Sequence, residues 1–370
     1  MKFKQAKPVV VIVTPAWADA NNGNWQTARR WARHLSAKHT VLLADRWPHS
    51  RLDLGPGAGL QPQARVNDLA LQAQAMLALH ARRSAASINA WHRQRGALGL
   101  AVVLTGTDLY KDLHSADGTT VAEVQQSMRA AQHLVVLQDQ ALRDLPAALA
   151  HKATLIFQST TTRRAVDKPD LRHHPLRALM VGHLRDEKDP LTLMQAACLL
   201  HQVMPLQKPA CAPSIRIDHL GAALEPQWAA AALATQAQCP LYRWLGACTH
   251  ETARRRIQRA HVLVHTSRIE GGAHVIMEAV CSATPVLASR VAGNVGMLGS
   301  DYAGYFEVGD AQGLARALQR FQTDEEFRFT LQAQARLRAA CFEPAREAQG
   351  LHALVNALLA TSPASVRGLR

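Results

Sequence analysis

The sequence lacks the cysteine pattern of a zinc site or of a disulfide-stabilised protein. Its six cysteines all lie in the second half of the 370 residues, are widely spaced and include no C-x-x-C pair. No apolar run approaches the roughly 18 residues that a membrane span needs. The first apolar run, Val9–Val13, is too short for the core of a signal peptide. We therefore expect a soluble protein of the reducing cytoplasm that holds no metal and lies on no membrane.

Acidic residues are few, with 28 aspartates and glutamates against 42 lysines and arginines, so the formal net charge is +14. Such a charge attracts anionic partners. No run of five or more basic residues occurs, and the arginines are scattered through segments with helical periodicity, which disfavours nucleic acid as the main partner. Phosphorylated small molecules and a merely arginine-rich surface are the favoured explanations.

Short apolar runs alternate with longer amphipathic segments along the whole chain. Strands apolar on both faces and joined by helices indicate parallel sheets covered on both sides, and therefore an α/β protein. The segment from Asn24 to Ala37 has the spacing of a helix. The predicted strands are Val9–Val13, Val41–Ala44, Met76–Leu79, Val102–Leu104, Leu134–Leu137, Leu155–Phe157, Ala178–Val181, Ile215–Leu220, Leu241–Leu245, Val262–Val264 and Pro285–Ala288.

A polar, proline-bearing stretch from Thr160 to Pro175 has little periodicity and predicts a linker between two Rossmann-like domains. We expect the first domain over residues 1–165 and the second over 166–345. Residues 346–370 should form a helix that packs back toward the first domain and a frayed tail from Thr361. Two facing domains of this kind place a ligand cleft between the carboxyl ends of their sheets.

The segment from Ser267 to Ala279 carries two carboxylates, Glu270 and Glu278, eight residues apart on either side of a glycine pair. The glycines predict a turn before a helix from about Ala273 to Ala283, and the N–H groups of a helix start favour a phosphate. The carboxylates could then accept hydrogen bonds from sugar hydroxyls. This spacing matches the E-x7-E motif of retaining GT-B glycosyltransferases; the alternative is a helix whose first turn carries a glutamate favoured by the helix dipole.

The predicted strand Ala178–Val181 ends in a charged loop from Gly182 to Pro190. Many GT-B enzymes have a Gly-Arg pair here and a lysine a few residues later, which together clamp the donor diphosphate. His183 stands in place of that arginine, which leaves Lys188 as the better candidate and Arg185 as a possible substitute. The alternative is a solvated loop of charged side chains.

Polar residues also follow the strands of the first half. Gly23 and Asn24 lead into the first helix without a G-x-G-x-x-G motif, which disfavours dinucleotide binding, and Asn24 could simply cap that helix. The glycine-rich stretch 55–59 predicts a turn. A histidine after a strand is more often structural than catalytic, but two arginines follow His80 and suit a tetrahedral anion.

These motifs together resemble the selenosugar synthase family. The resemblance spans nearly the whole chain and includes residues 293–296 and 302–309. The segments that carry it are Gly23-Asn24, Thr27 to Ala32, His80 to Ser84, Thr105 to Tyr110, Val181 to Arg185 and Glu270 to Gly272.

The resemblance implies a GT-B enzyme, without cofactor, in which selenophosphate attacks the anomeric carbon of UDP-N-acetylglucosamine or UDP-glucose to give a selenosugar for selenoneine biosynthesis. On this basis the expected catalytic residues are Glu270, Lys188, Arg185, His80 and Asp108. The expected donor-binding residues are Gly182, His183, Gly271, Gly272, Ala273, His274, Glu278, Gly23 and Asn24. The expected acceptor-binding residues are Arg82, Arg83, Thr107 and Lys111.

Two alternatives are distinguishable. An ordinary GT-B enzyme acting on a glycan or glycolipid would need an apolar patch near the first-domain cleft, and no lysine-rich amphipathic helix with an apolar face stands out. A basic nucleotide- or nucleic-acid-binding protein would explain the charge but not Glu270 and Glu278, because carboxylates repel phosphates.

Overall fold

The computed structural model describes residues 6–17, 23–48, 52–54, 63–203 and 215–360. Its contacts divide the chain into two compact units. The first unit contains the residues up to Gln158 together with those from Pro344 onward, and the second unit is Ser159–Glu343. The glycine-rich stretch 55–59 and the expected tail from residue 361 lie outside the described residues.

The first unit is built on a seven-stranded sheet and the second on a six-stranded sheet. Their strand orders are β3-β2-β1-β4-β5-β6-β7 and β10-β9-β8-β11-β12-β13, and every pairing is parallel except that of the edge strand β3 with β2. The strands are β1 Val9–Val13, β2 Thr40–Ala44, β3 Leu52–Leu54, β4 Ala75–Leu79, β5 Leu100–Leu104, β6 His133–Val136, β7 Ala153–Leu155, β8 Leu176–Val181, β9 Ile215–Leu220, β10 Tyr242–Trp244, β11 Val262–His265, β12 Val286–Ser289 and β13 Tyr305–Phe306.

Helices connect most successive strands and cover the sheets, which is the arrangement of a Rossmann-like fold. They are α1 Gly23–Leu35, α2 Gln63–Leu71, α3 Ala85–Arg95, α4 Thr107–Tyr110, α5 Gly118–Ala130, α6 Ala141–Asp144, α7 Pro190–Val203, α8 Pro226–Gln238, α9 His250–Arg259, α10 His274–Val280, α11 Ala292–Leu298, α12 Ala311–Thr323, α13 Glu325–Ala339 and α14 Pro344–Ala360. None of the helices in the described ranges is both long and apolar enough to cross a membrane.

The prediction of an α/β protein with two parallel Rossmann-like sheets is confirmed, and each predicted strand overlaps an observed one. The interior strands are buried on both faces, since all five residues of β1 and of β4 are buried. The strands that sequence reasoning missed are β3 and β13, of three and two residues. Strands this short carry too few residues to show a period of two.

The last helix in the described part of the chain, α14, completes the first unit. Its residues Leu351, Leu354, Val355 and Leu358 are fully or almost fully buried against β1 and α1. The buried carboxylate of Glu347 accepts hydrogen bonds from Arg30 Nε at 2.7 Å and from Trp31 Nε1 at 2.7 Å. A buried carboxylate is stable only when such partners bind it. Since Glu347 is on α14 and both partners are on α1, these hydrogen bonds hold the two helices together.

The stretch from Thr160 to Pro175, expected as a linker, contains no helix or strand and belongs to the second unit. The N–H of Arg163 donates to the carbonyl of Cys281 at 2.9 Å, and Gln258 donates to the carbonyl of Arg164 at 2.7 Å. Lys168 Nζ donates to Thr284 Oγ1 at 3.1 Å. The irregular backbone of this stretch is therefore stabilised by contacts with α9 and with the segment between α10 and β12.

Candidate functional site

In the second unit, the loops that follow two neighbouring parallel strands meet. β8 and β11 pair with each other, so Gly182 and Thr266 both leave the carboxyl edge of the sheet. Thr266 Oγ1 donates to the carbonyl of Lys188 at 2.7 Å, and the N–H of Arg268 donates to the carbonyl of Glu187 at 2.9 Å. These two bonds hold the charged loop after β8 and the loop after β11, which carries Glu270, together.

Lys188 and Glu270 form an ion pair between these loops. The Lys188 ammonium contacts Glu270 Oε1, and both side chains are largely buried, with 17% and 10% of their surface exposed. The aliphatic part of Lys188 passes over Gly182, where an added Cβ would lie 3.7 Å from Lys188 Cδ. An ammonium group and a carboxylate therefore lie side by side at the carboxyl end of β8.

His265, the last residue of β11, contacts the same carboxylate. Its Nε2 lies 3.0 Å from Glu270 Oε1, and the ring is fully buried. Burial lowers the pKa of His265, although its hydrogen bond to Glu270 opposes that shift. A neutral ring with its proton on Nε2 fits this contact, because the nitrogen must donate to a carboxylate.

The charge state of Glu270 follows from these neighbours. Burial by itself raises the pKa of this carboxyl, but the Lys188 ammonium and the His265 hydrogen bond outweigh burial and hold the pKa well below its ordinary value. Glu270 is thus a carboxylate at any physiological pH. It has two oxygens and keeps acceptor capacity for the hydroxyl groups of a ligand.

The backbone around Glu270 is tightly packed. An added Cβ at Gly293, the second residue of α11, would lie 2.0 Å from the carbonyl oxygen of Glu270. Gly271 is buried and Gly272 is partly buried, and both lie in the turn between Glu270 and α10. Only glycine at position 293 allows α11 to pack this closely, so α11 fixes the position of the glutamate.

Glu278 lies inside α10 and is buried, with 4% of its side chain exposed. His250, the first residue of α9, places Nε2 at 2.5 Å from Glu278 Oε1 and keeps 43% of its own side chain exposed. α10 is shorter than the predicted helix 273–283: Ala273 precedes it, His274 is its first residue, and it ends at Val280. The reason is a left-handed turn at Ala283, φ 54°, after which Thr284 N–H donates to the Ala279 carbonyl.

His183 and Arg185 differ in their surroundings. The N–H of Ala222 donates to His183 Nδ1 at 3.1 Å, and burial, followed by the nearby Arg185 and Lys188, lowers the pKa of His183. A ring that accepts a hydrogen bond at Nδ1 is neutral, with its proton on Nε2. Arg185 Nε lies 3.9 Å from Glu187 Oε2 in the same loop, and 39% of the Arg185 side chain is exposed.

In the first unit, His80 follows β4 with a left-handed backbone, φ 72°, and is 1% exposed. The N–H of Arg83 donates to its Nδ1 at 3.3 Å, so the proton lies on Nε2, which is 2.9 Å from Thr107 Oγ1. Burial lowers the pKa of His80 despite the nearby Asp108 carboxylate. A non-glycine residue held in this conformation and buried as a neutral ring is unusual and is enriched at functional sites.

Asp108 is completely buried and joins the loops after β4 and β5. One oxygen accepts the N–H of Ala81 at 2.9 Å, and the other accepts those of Thr105 and Gly106, both at 2.9 Å. A carboxylate with this many amide donors has little acceptor capacity left. Its contacts are those of a residue that positions His80 and Thr107.

The basic residues beside His80 are more exposed. Arg82 Nε donates to Asp112 Oδ2 at 2.9 Å and has 39% of its side chain exposed, while Arg83 and Lys111 are exposed. Thr107 begins α4. Gly23 and Asn24 are the first two residues of α1, which follows β1, the parallel neighbour of β4, so Asn24 lies inside the first turn of the helix.

Sequence reasoning missed three residues of these clusters, namely His265, His250 and Asp112. His265 was detectable in principle, because a polar residue that ends a buried apolar strand stands at the sheet edge where ligands bind. No such signal marks His250 or Asp112. Each contacts a site residue that is distant in sequence: His250 contacts Glu278, and Asp112 contacts Arg82.

The comparisons with known proteins agree with this fold. Residues 162–338, which lie within the second unit, match the family described as glycosyl transferases group 1. Sucrose-phosphate synthase from Thermosynechococcus elongatus is 19% identical over 96% of this chain and 100% of its own, with a TM-score of 0.70. HepE from Anabaena, solved with UDP and glucose, is 15% identical over 95% of this chain and 100% of its own, with a TM-score of 0.67.

A variant of TarM from S. aureus, solved with Fondaparinux, alpha-GlcNAc-glycerol and UDP, is 12% identical over 76% of this chain, with a TM-score of 0.59. This chain spans 56% of the length of that TarM chain. At these identities the likeness concerns the fold. The chain thus has the GT-B fold of glycosyltransferases, with a second unit that matches the group 1 family.

Proposed function

We propose that this protein is a glycosyltransferase that uses a UDP-sugar as donor and selenophosphate as acceptor. The observation that carries the donor half of the proposal is the Lys188–Glu270–His265 cluster, which lies beside the glycine turn in the unit that matches group 1 glycosyltransferases. HepE and TarM, which share the fold, were solved with UDP. We therefore assign the UDP-sugar to the second unit.

Each member of the cluster has a distinct role in donor binding. Lys188 binds the diphosphate, and its ammonium has three donors, so one can stay on Glu270 while the others bind phosphate oxygens. Glu270, fixed by His265 and Gly293, accepts hydrogen bonds from the hydroxyls of the transferred sugar. Glu278, held by His250, accepts those of the ribose. Gly182, Gly271 and Gly272 let the donor approach the backbone, and His183, Ala273 and His274 border it.

Departing UDP gains negative charge, so cations near its diphosphate stabilise the transition state more than the ground state. Lys188 supplies one such charge and Arg185 a second from the same loop. The neutral His183 supplies a hydrogen-bond donor at Nε2 rather than a fixed charge. Lys188 is therefore the main residue for leaving-group stabilisation.

The selenophosphate half of the proposal rests on the resemblance to selenosugar synthases and on the basic cluster around His80. Arg82 and Arg83 supply guanidinium groups that suit a tetrahedral anion, and Thr107 and Lys111 lie on the adjoining loop. Asp108 acts by positioning these loops. Since selenophosphate is already ionised at neutral pH, a neutral His80 is sufficient as a hydrogen-bond donor and no base is required.

In the proposed reaction, a selenium lone pair forms the bond to the anomeric carbon while the bond from that carbon to the diphosphate oxygen breaks. The electron pair of the broken bond leaves with UDP. Hydrolysis of the phosphorus–selenium bond then consumes one water and releases inorganic phosphate and the selenosugar.

The direct test is incubation of the purified protein with selenophosphate and either UDP-N-acetylglucosamine or UDP-glucose, followed by mass spectrometry. We expect UDP release and a selenium-bearing sugar. Replacement of Arg82 and Arg83 by glutamine should raise the KM for selenophosphate with little change in the KM for the donor. The matched control is glutamine at Arg93 and Arg129, two exposed arginines of α3 and α5.

Two results would contradict the proposal in different ways. Binding of UDP without any selenium-bearing product, together with transfer to a glycan, would retain the donor site and replace the acceptor. Absence of UDP binding altogether would remove the donor assignment as well.

A further inference from the structure

Apart from the proposed donor site, the second unit has a basic cavity at the opposite end of β8 from Gly182. The cavity has a volume of about 390 Å³. We call it the arginine pocket. Its charged lining residues are Arg177, Arg216, Asp218, Arg255, Arg256 and Arg259.

The positive charge of the arginine pocket is only partly balanced. Asp218 is shared by Arg216 at 3.2 Å and Arg256 at 3.7 Å, and it also contacts Arg243 at 2.8 Å, outside the lining. Arg255 pairs with Glu251 at 2.9 Å on the surface of α9. Within the described residues, the buried Nε of Arg177 has no hydrogen-bond partner.

The cations around Arg177 repel one another. Burial, and then the charges of Arg216 and Arg259, lower the pKa of Arg177. Burial, and then the charge of Arg177, lower the pKa of Lys168 to about 8. Like charges held together without enough carboxylates destabilise the folded protein, and an anion bound among them would relieve that repulsion.

We propose that the arginine pocket binds a small molecule that carries two or more phosphate groups. Guanidinium groups recognise phosphate oxygens through pairs of parallel hydrogen bonds, and several converge here around one cavity. The volume lies in the range of pockets for small ligands. Ala178, Leu179 and Ala260 also line the cavity and offer apolar contact to the rest of such a molecule.

The site is separate from the proposed donor site and does not depend on it. Arg177 is the second residue of β8 and Gly182 directly follows the strand, so about 16 Å of extended chain separates them. α9 connects the two regions, because His250 at its start contacts Glu278 and Arg259 at its end lines the arginine pocket. A ligand in the pocket therefore binds the helix that supports the ribose-binding carboxylate.

The test is calorimetric titration of the protein with inorganic pyrophosphate at low ionic strength. A variant with Arg177→Gln and Arg259→Gln should bind about tenfold more weakly or worse, because charge-assisted hydrogen bonds are lost. The matched control, Arg316→Gln with Arg336→Gln, removes two exposed arginines of the same unit and should bind as the wild type does. A Lys188→Met background weakens pyrophosphate binding at the proposed donor site, so binding that this background leaves unchanged is binding in the arginine pocket.

Equal pyrophosphate affinity in the pocket variant and its control would overturn the proposal. If the pocket variant unfolds, Arg255→Gln replaces it, since that side chain is 67% exposed and its loss does not disturb the core. A single-stranded DNA oligonucleotide that displaces pyrophosphate and binds far more tightly would also overturn it, by assigning the pocket to nucleic acid.

Discussion

Gly293 presses against the backbone of Glu270, so that a methyl group added at residue 293 would lie 2.0 Å from the Glu270 carbonyl oxygen. No carbon approaches an oxygen that closely without a bond, so one of the two segments would have to move. The position of the glutamate therefore depends on a residue 23 positions later that has no side chain of its own.

Replacement of Gly293 by alanine should displace Glu270 and weaken binding of the proposed UDP-sugar donor. We expect the affinity for UDP-sugar to fall about tenfold or more, since Glu270 loses its alignment with Lys188 and His265. Titration of UDP-sugar and thermal unfolding would measure both consequences. Gly350→Ala is the control, because its nearest neighbour would be Ile156 at an ordinary 3.5 Å, so stability should stay equal or rise.

The Lys188–Glu270 pair should behave as one unit in unfolding experiments. Lys188→Met leaves a buried carboxylate supported by His265 alone, so we expect a loss of stability smaller than the ~3–5 kcal/mol typical of a broken buried pair. The double variant with Glu270→Gln should recover part of that loss. Lys38→Met, an exposed lysine, is the control, and simple additivity of the two single variants would contradict the pairing.

The same pair predicts that the free energy of unfolding depends on pH. Because the folded pKa of Glu270 lies below its unfolded value, its carboxylate contributes stability that is present above the unfolded pKa and lost as pH falls. Removal of the Lys188 ammonium raises the folded pKa and should flatten this acid-side decline. Urea unfolding of the wild type and of Lys188→Met between about pH 6 and about pH 3 would reveal the difference.

His250 should support binding of the proposed donor through Glu278. His250→Ala removes the partner of a buried carboxylate, and we expect the affinity for UDP to fall about two- to tenfold, the size of one hydrogen bond. His250→Gln keeps a donor and should restore most of the affinity. Calorimetry with UDP separates the two variants, and His114→Ala in the first unit should have no effect. Equal losses for alanine and glutamine would argue against the hydrogen bond.

Two buried histidines of the second unit predict acid sensitivity. Burial lowers the pKa of His219 and of His261 to about 4, whereas both titrate near 6.5 when unfolded. The stability they contribute as neutral rings is present above pH 6.5 and lost as pH falls toward 4, at up to about 1.4 kcal/mol per pH unit each. The free energy of unfolding should fall less steeply in His219→Gln, while the exposed control His173→Gln should match the wild type.

The fold was predictable because the interior strands are apolar on both faces, a pattern visible in Val9–Val13 and Val262–Val264. Parallel topology then placed Lys188 and Glu270 at the same sheet edge, although they are 82 residues apart. The contact between His250 and Glu278 was not predictable, because it depends on how α9 packs on α10. The stretch 160–175 was recognisable from the sequence as irregular, but its attachment to the second unit depends on bonds to α9 and Thr284.

The return of α14 to the first unit has a consequence for biosynthesis. Its four buried apolar residues and Glu347 reach the ribosome exit only after the whole second unit has been made. Until then α1 has an uncovered apolar face, and Arg30 and Trp31 are without the carboxylate that they later share. The second unit is formed from one continuous segment and can therefore complete its folding before the first. A chain truncated at residue 343 should contain a folded second unit and an incomplete first unit, and should be prone to aggregation.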